Sequence, residues 1–433
     1  MSIRFRLFIC LSSFLSFAAP SANPVLDWDA LMMAAIRSEN TGPTLSTRNL
    51  AILHCAIYDA VNSIERAHQP YQIQVNAAPG SSREAAVCAS GRQVMLGLYP
   101  SFTARTETLY QTLRSALPES SETTNGLSLG KEVARRLLEA RSSDGAMTTV
   151  PYIPKTEPGQ WRRTPPFFRP PLDPHWRYTK LFALPEIKSC LPPPPPALNS
   201  EDYAKDFNEV KALGAKNSTI RTAEQTQIAV FWSDFSYTAM PPGHWHEIAA
   251  KIVEDRQTSM TDSARLFALL SIAQADAAVV CWEAKYRYNF WRPVTAIRRA
   301  DEDENPATEK DATWNSLLAS PNFPENTSGH STFSKASAQV LTHFYGTDAI
   351  TFTARSDALP NVVRTYHSLS ACADEVGMSR VYGGIHFSFS NREGKLCGGK
   401  IGDYIYEHCL LPLESSLKNP EAEKRGPESP NGN

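Results

Sequence analysis

Alternating strand patterns are nearly absent from this 433-residue chain, and so is an excess of either charge. Forty-three Lys and Arg offset 45 Asp and Glu, for a formal net charge of −2. That balance argues against nucleic acid as a partner, because phosphate backbones select a clear basic excess. None of the eight cysteines stands in a C-x-x-C pair, which argues against a zinc site or a redox dithiol. Cys10 falls in the leader described below, and the other seven leave disulfide connectivity open. Glycines are fewer than prolines, 21 against 32, so stiff extended connections are expected. No internal repeat is visible. At 42% hydrophobic and 10% aromatic the chain is not disordered throughout, and it can bury a core without covalent staples.

Only the start of the chain looks membrane-like. Arg4 and Arg6 precede the apolar run Leu7 to Ala19, and the small residues Ser21 and Ala22 follow. This is the pattern of a secretory signal over 1–22 and is too short for a comfortable membrane span. The protein is therefore expected to be exported, periplasmic or extracellular, with no membrane span once the signal is removed.

Helical spacing dominates the rest. Leu50, Leu53, Ile57 and Val61 form one stripe over 46–63, and further helices are predicted at 83–98, 102–116 and 126–141. A second helical block opens near 201, with Thr222 and Gln225 in a capping-box pattern. Residues 263–288 are apolar nearly all round, as in a buried central helix. Others are predicted at 331–345, 357–377 and 392–409. The fold class is all-α. The organisation read from this is an N-terminal helical region (23–147), a proline-rich connector (148–200) read as a stiff surface segment, a helical bundle (201–414) and a disordered tail (415–433).

Three segments in the second block concentrate cations, histidines and glycines. Lys285 and Arg292 are seven residues apart, two helical turns or about 10 Å on one face, among Trp282, Tyr286, Tyr288, Phe290 and Trp291. In such a dry setting the pair needs an anion. Alone, a Lys/Arg pair is more often a solvated face. Phe323 to His330 ends in Ser328-Gly329-His330 at a predicted helix start, which offers free N–H groups, a hydroxyl and an imidazole. Alone, it is an ordinary cap. Arg380 and His386 flank Gly383-Gly384, a turn that would bring them to one place. Together the segments supply three cations and two imidazoles with few carboxylates, an inventory suited to a tetrahedral or trigonal-bipyramidal oxyanion.

The pattern Lys-x6-Arg-Pro, Ser-Gly-His, Ser-Arg-x5-His is similar to the superfamily joining type 2 phosphatidic acid phosphatases with vanadium-dependent haloperoxidases. Trp282 and Phe323, placed as the halide-pocket aromatics of fungal-type chloroperoxidases, make it resemble the haloperoxidase branch. Segments 28–62, 97–116 and 221–250 resemble its exported bacterial members. The resemblance implies helical bundles and a vanadate cofactor, whose site phosphate can share. Its small-molecule substrates would be hydrogen peroxide, halide and an organic acceptor, or a phosphate ester. His386 would bond vanadium or serve as a phosphoryl-accepting nucleophile, and His330 would be the acid–base group. Lys285, Arg292, Ser328, Gly329 and Arg380 would hold equatorial oxygens, with Lys285 also polarising peroxide.

Departures matter too. Where the phosphatase pattern has an Asp orienting the histidine, this chain has Ser390, and a hydroxyl orients an imidazole less strongly. Asp234 is a candidate carboxylate for one of the arginines. Three functions therefore compete: a vanadate-dependent haloperoxidase, an acid phosphatase acting through phosphohistidine, and a non-catalytic oxyanion binder, the last favoured by Ser390. The oligomeric state is left open. His54 and Asp59 read as packing and surface residues, and His244 and His246 lack an evident third ligand. The sequon at Asn326 overlaps the anion loop, where a glycan would block it; a second sequon starts at Asn217.

Overall fold

The computed structural model describes residues 23–413, so the expected signal (1–22) and the expected tail (415–433) lie outside the described residues. The order is α1 (Pro24–Ser38), α2 (Pro43–Glu65), α3 (Arg83–Leu98), α4 (Thr103–Ser115), α5 (Ser121–Ala140), α6 (Glu201–Leu213), α7 (Ala223–Phe231), α8 (Met240–Arg256), α9 (Met260–Tyr288), α10 (Pro293–Arg298), α11 (Gly329–Tyr345), β1 (Phe352–Arg355), β2 (Val363–Tyr366), α12 (Leu369–Tyr382) and α13 (Ser388–His408). The all-α expectation holds, with one antiparallel hairpin added.

That hairpin corrects the helix expected at 357–377. Pro360 and the β-branched residues Thr353, Val363 and Thr365 favour extended chain, and Phe352 stacks on its cross-strand partner Tyr366 at 5.6 Å. Only from Leu369 does helical structure begin, behind the Ser368 cap.

The apolar α9 is the axis of the core. It is long and apolar enough to cross a membrane, yet 94% of its apolar window is buried in the protein. α2 packs along one side of it, and α11 and α13 along others. Residues 148–200 form no α-helix among the described residues. They are more than a surface connector, because Trp161, Trp176, Phe182, Leu184 and Cys190 are buried. Asp276 of α9 accepts the N–H groups of Phe182, Ala183 and Leu184 at 2.6, 2.9 and 2.7 Å. Asp59 does the same for residues 71–73 and is buried with His54, neither being a surface residue. All seven described cysteines are free, six of them buried.

Gly394, Gly398 and Gly402 recur every four residues along α13, on the side facing α11. A Cβ at Gly398 would sit 2.2 Å from the Thr332 carbonyl oxygen, so the backbones touch where a methyl cannot fit. This contact holds the start of α11, with Ser328 and Gly329, against the start of α13. Gly398→Ala should cost about 1–3 kcal/mol, read as a lower midpoint in urea unfolding; an unchanged midpoint would mean that the two helices can separate at no cost.

Candidate oxyanion site

The end of α9 and the loop after it bring Lys285 and Arg292 together, though not on one helix face. Asn289 ends the helix in the left-handed region (φ 50°), and Arg292 is the extended N-cap of α10, as the following Pro293 requires. Both side chains turn onto the Phe323–Thr327 loop. Lys285 Nζ donates to the carbonyls of Pro324 (3.3 Å), Glu325 (3.1 Å) and Thr327. Arg292 Nε donates to Phe323 O (3.0 Å) and Nη1 to Ile385 O (2.7 Å). Its Nη2 is buried with no protein partner. Arg380, in the last turn of α12, completes the set, its Nη2 donating to Ala229 O at 3.2 Å. Lys285, Arg292 and Arg380 are at most 1% exposed. Burial lowers Lys285 to about 8 and each arginine to about 10, the ordinary response of dry cations.

Ser328 is the N-cap of α11 and Gly329 its first residue. Ser331 Oγ donates to Ser328 Oγ at 2.8 Å. Four residues around this cap, Glu325 to Ser328, are buried to within 1%. Asn326 is therefore closed to glycosylation in the folded chain, while Asn217 is exposed.

His386 follows the glycine turn, where Gly384 (φ 75°) packs so closely on Gly214 that a Cβ would fall 2.3 Å from its carbonyl oxygen. The imidazole is held by a residue that the sequence reading passed over. Glu325 Oε1 accepts from His386 Nδ1 at 2.8 Å and from Phe387 N at 3.0 Å. Ser390 Oγ lies 3.4 Å from the same nitrogen, a secondary contact at best. The expected weakness of orientation is thus corrected, since a carboxylate does the holding. With Nδ1–H given to Glu325, Nε2 keeps its lone pair, facing Arg292 Nη1 at 3.1 Å. Burial pushes the Glu325 carboxyl up to about 7 against the pull of Arg292. Burial, then Arg292 and Lys285, hold the His386 imidazole well below its ordinary value.

His330, in the first turn of α11, meets a different carboxylate. Asp234 Oδ2 lies 3.6 Å from His330 Nε2, and its Oδ1 3.1 Å from His244 Nδ1. Asp234 therefore serves histidines rather than forming the expected arginine pair; Arg380 Nη1 reaches the neighbouring Ser233 carbonyl at 3.5 Å. Although burial opposes it, His244 and His330 hold the Asp234 carboxyl below its usual range. Burial and Arg380 bring His330 down to about 4.

A cavity of about 670 Å³ opens onto His330, His386, Arg380, Gly329, Asp234, Trp282 and Phe323. Trp282 and Phe323 meet at 5.1 Å, and Lys285 Nζ lies 4.9 Å from the Phe323 ring centre. Lys285 and Arg292 stand behind this aromatic wall. All the residues predicted from the three segments thus surround one place. The donor set fits vanadate: three dry cations against two nearby carboxylates, Glu325 and Asp234, with an unpartnered guanidinium nitrogen, a helix N-terminus and an imidazole lone pair.

Comparison with known proteins agrees with this geometry. Residues 265–414 match the family model described as the VCPO second helical-bundle domain. The chain is 25% identical over 382 residues to the vanadium chloroperoxidase of Curvularia inaequalis, covering 70% of this chain and 62% of that one. It superposes on a bacterial vanadium-dependent iodoperoxidase with a TM-score of 0.79 at 26% identity, over 91% of this chain and 99% of the other. The chain belongs to the vanadium haloperoxidase superfamily. The fold is also that of a holo-type bacterial vanadium-dependent chloroperoxidase, with a TM-score of 0.72 at 17% identity over 91% of this chain and 98% of that one. Within the superfamily fold, the site stands where α9, α11, α12 and the start of α13 converge. The signal that could have exposed Glu325 was its isolation: it is the one acidic residue between Phe323 and His330.

Proposed function

We propose that this protein is an exported, vanadate-dependent haloperoxidase that oxidises halide with hydrogen peroxide and halogenates a small organic acceptor. The observation that carries the reading is the convergence of three buried cations and His386 around the cavity that Trp282 and Phe323 also line. When bound, vanadate supplies a Lewis-acid centre at which peroxide is activated toward halide without a change of metal oxidation state. Arg292, Arg380, Lys285, Ser328 and Gly329 would hold its oxygens, and His386 Nε2 would face it.

The protein's own residues do the rest. Glu325 keeps the proton on His386 Nδ1 and so presents the other nitrogen as a ligand. Lys285, a cation lowered to about 8, places positive charge beside the oxygens without leaving the dry wall. Neutral His330, next to Asp234, can take a proton from an incoming peroxide and return it to the departing water. Trp282 and Phe323 exclude water from the halide's approach.

Reconstitution with orthovanadate, followed by peroxide-dependent halogenation with iodide, bromide and chloride, should give turnover in at least one halide. No turnover with any of them, alongside good hydrolysis of a phosphomonoester, would overturn the reading. That phosphatase alternative has one observation in its favour: the His386–Glu325 pair is what a nucleophilic imidazole requires. A non-catalytic anion binder loses its ground, because it rested on Ser390 in place of an orienting carboxylate.

His330→Ala should leave vanadate affinity within about threefold while lowering turnover by about 100-fold or more, the usual contribution of a general acid–base group. Vanadate titration and steady-state rates on one preparation separate the two effects.

A further inference from the structure

A second cluster of chemically capable side chains lies away from the oxyanion site. Asp29 of α1, His54 of α2 and His246 of α8 bring their ligand atoms within 4.8 Å of one another. Asp29 Oδ1 is 2.7 Å from His246 Nδ1 and 2.9 Å from His54 Nε2. The two imidazoles are fully buried and Asp29 is 2% exposed. The third ligand that His246 lacked in the sequence, and the partner that His54 lacked, are thus the same residue, 25 positions before His54.

The same arrangement serves hydrogen bonding or metal binding. Ser271 Oγ gives its hydrogen to Phe267 O at 2.7 Å, so toward His246 Nε2, 3.4 Å away, it can only accept. That contact is secondary and leaves the tautomer open; with its proton on Nε2, His246 would turn a bare Nδ1 lone pair toward a carboxylate oxygen at 2.7 Å. A proton or a metal ion then sits between His246 Nδ1 and Asp29 Oδ1. Among the described ion pairs Asp29 has no Lys or Arg partner, only these imidazoles. His54 Nδ1 is buried without a partner, free to carry the ring proton and leave Nε2 as a ligand. Charges in a dry interior are either paired or bound to a metal. Asp29 also lines a separate cavity of about 660 Å³, with Glu247, Glu254 and Asp357 among its walls, which gives an ion a route to the carboxylate.

We infer that Asp29, His54 and His246 hold a divalent first-row transition-metal ion, zinc being the best match, that clamps α1, α2 and α8 together. Two imidazoles and one carboxylate form a zinc donor set that leaves a place for water. The ligands are His and Asp, so the lack of C-x-x-C pairs in the sequence does not bear on them. The site is structural in effect. α8 carries His244, two residues from His246, and His244 steadies Asp234 beside His330.

The test uses the full chain, stripped with chelator and then given zinc. Elemental analysis should find about one zinc per chain, and thermal unfolding should move upward with zinc and downward with chelator. Asp29→Asn, which keeps a hydrogen-bond acceptor, should fold yet lose most of the zinc, whereas His386→Ala should keep it. X-ray absorption on the zinc-loaded parent should show two imidazole ligands, and this readout needs no variant to fold. Less than about a tenth of an ion per chain, with no thermal response, would overturn the proposal in favour of a His246 imidazolium–carboxylate pair. Full occupancy in Asp29→Asn, loss of zinc in His386→Ala, or fewer than two imidazoles would place the metal elsewhere and overturn it as well.

Discussion

His386→Ala should lower vanadate affinity by more than about 100-fold, or about 2.8 kcal/mol, while affinity for inorganic phosphate falls by less than about tenfold. The expected split follows from two separable contributions. Lys285, Arg292 and Arg380 attract any oxyanion by charge, and all three stay buried in the variant, oriented by carbonyls that do not involve the imidazole: Pro324 and Glu325 for Lys285, Phe323 and Ile385 for Arg292, Ala229 for Arg380. The imidazole lone pair acts differently, because a coordinate bond discriminates between a metal centre and phosphorus. Equilibrium dialysis with each anion measures the two terms, and thermal unfolding confirms that the variant is folded. Equal vanadate affinity in variant and parent would remove His386 from the coordination role. A matching loss for both anions would make it an electrostatic residue only.

The fold and the anion nest were largely legible in the sequence, for reasons that the structure makes physical. The stripe Leu50, Leu53, Ile57 and Val61 predicts a helix that the structure extends to Pro43–Glu65, and the proposed start of α3 at residue 83 matches its Ser82 cap. Lys285, Arg292, Ser328, Gly329, His330, Arg380 and His386 surround one place because local signals fix each one: a helix end before proline, a cap, a glycine turn. Less legible were the features that depend on distant backbone. Lys285 and Arg292 converge although the helix stops between them at Asn289, so the right meeting point came from the wrong geometry. Asp234 pairs with His244 and His330, a choice set by how α8 and α11 pack. The Asp29 cluster joins three helices separated by up to 217 residues, a distance over which spacing carries no information.

Glu325 shows the same limit and yields the second large effect. An orienting carboxylate was sought four residues after His386, where the chain has Ser390; it comes instead from 61 residues upstream, through the loop that also holds Lys285. Glu325→Gln should lower vanadate affinity by about 10- to 100-fold, the range for removing the partner of a metal-binding imidazole. The amide can donate a hydrogen bond to Nδ1, which selects the tautomer with its hydrogen on Nε2, where the lone pair is required. Stability should move the other way. The carboxylate is fully buried and burial raises its proton affinity, so removing its charge should leave the unfolding midpoint unchanged or higher. A merely structural glutamate would give the reverse, a lower midpoint with vanadate affinity intact. Ser390→Ala provides the contrast, because its hydroxyl stands 3.4 Å from Nδ1 and should matter by less than about threefold. If Ser390→Ala weakened vanadate binding as much as Glu325→Gln, the hydroxyl would be sharing the holding of His386, and the carboxylate could no longer be assigned that task alone.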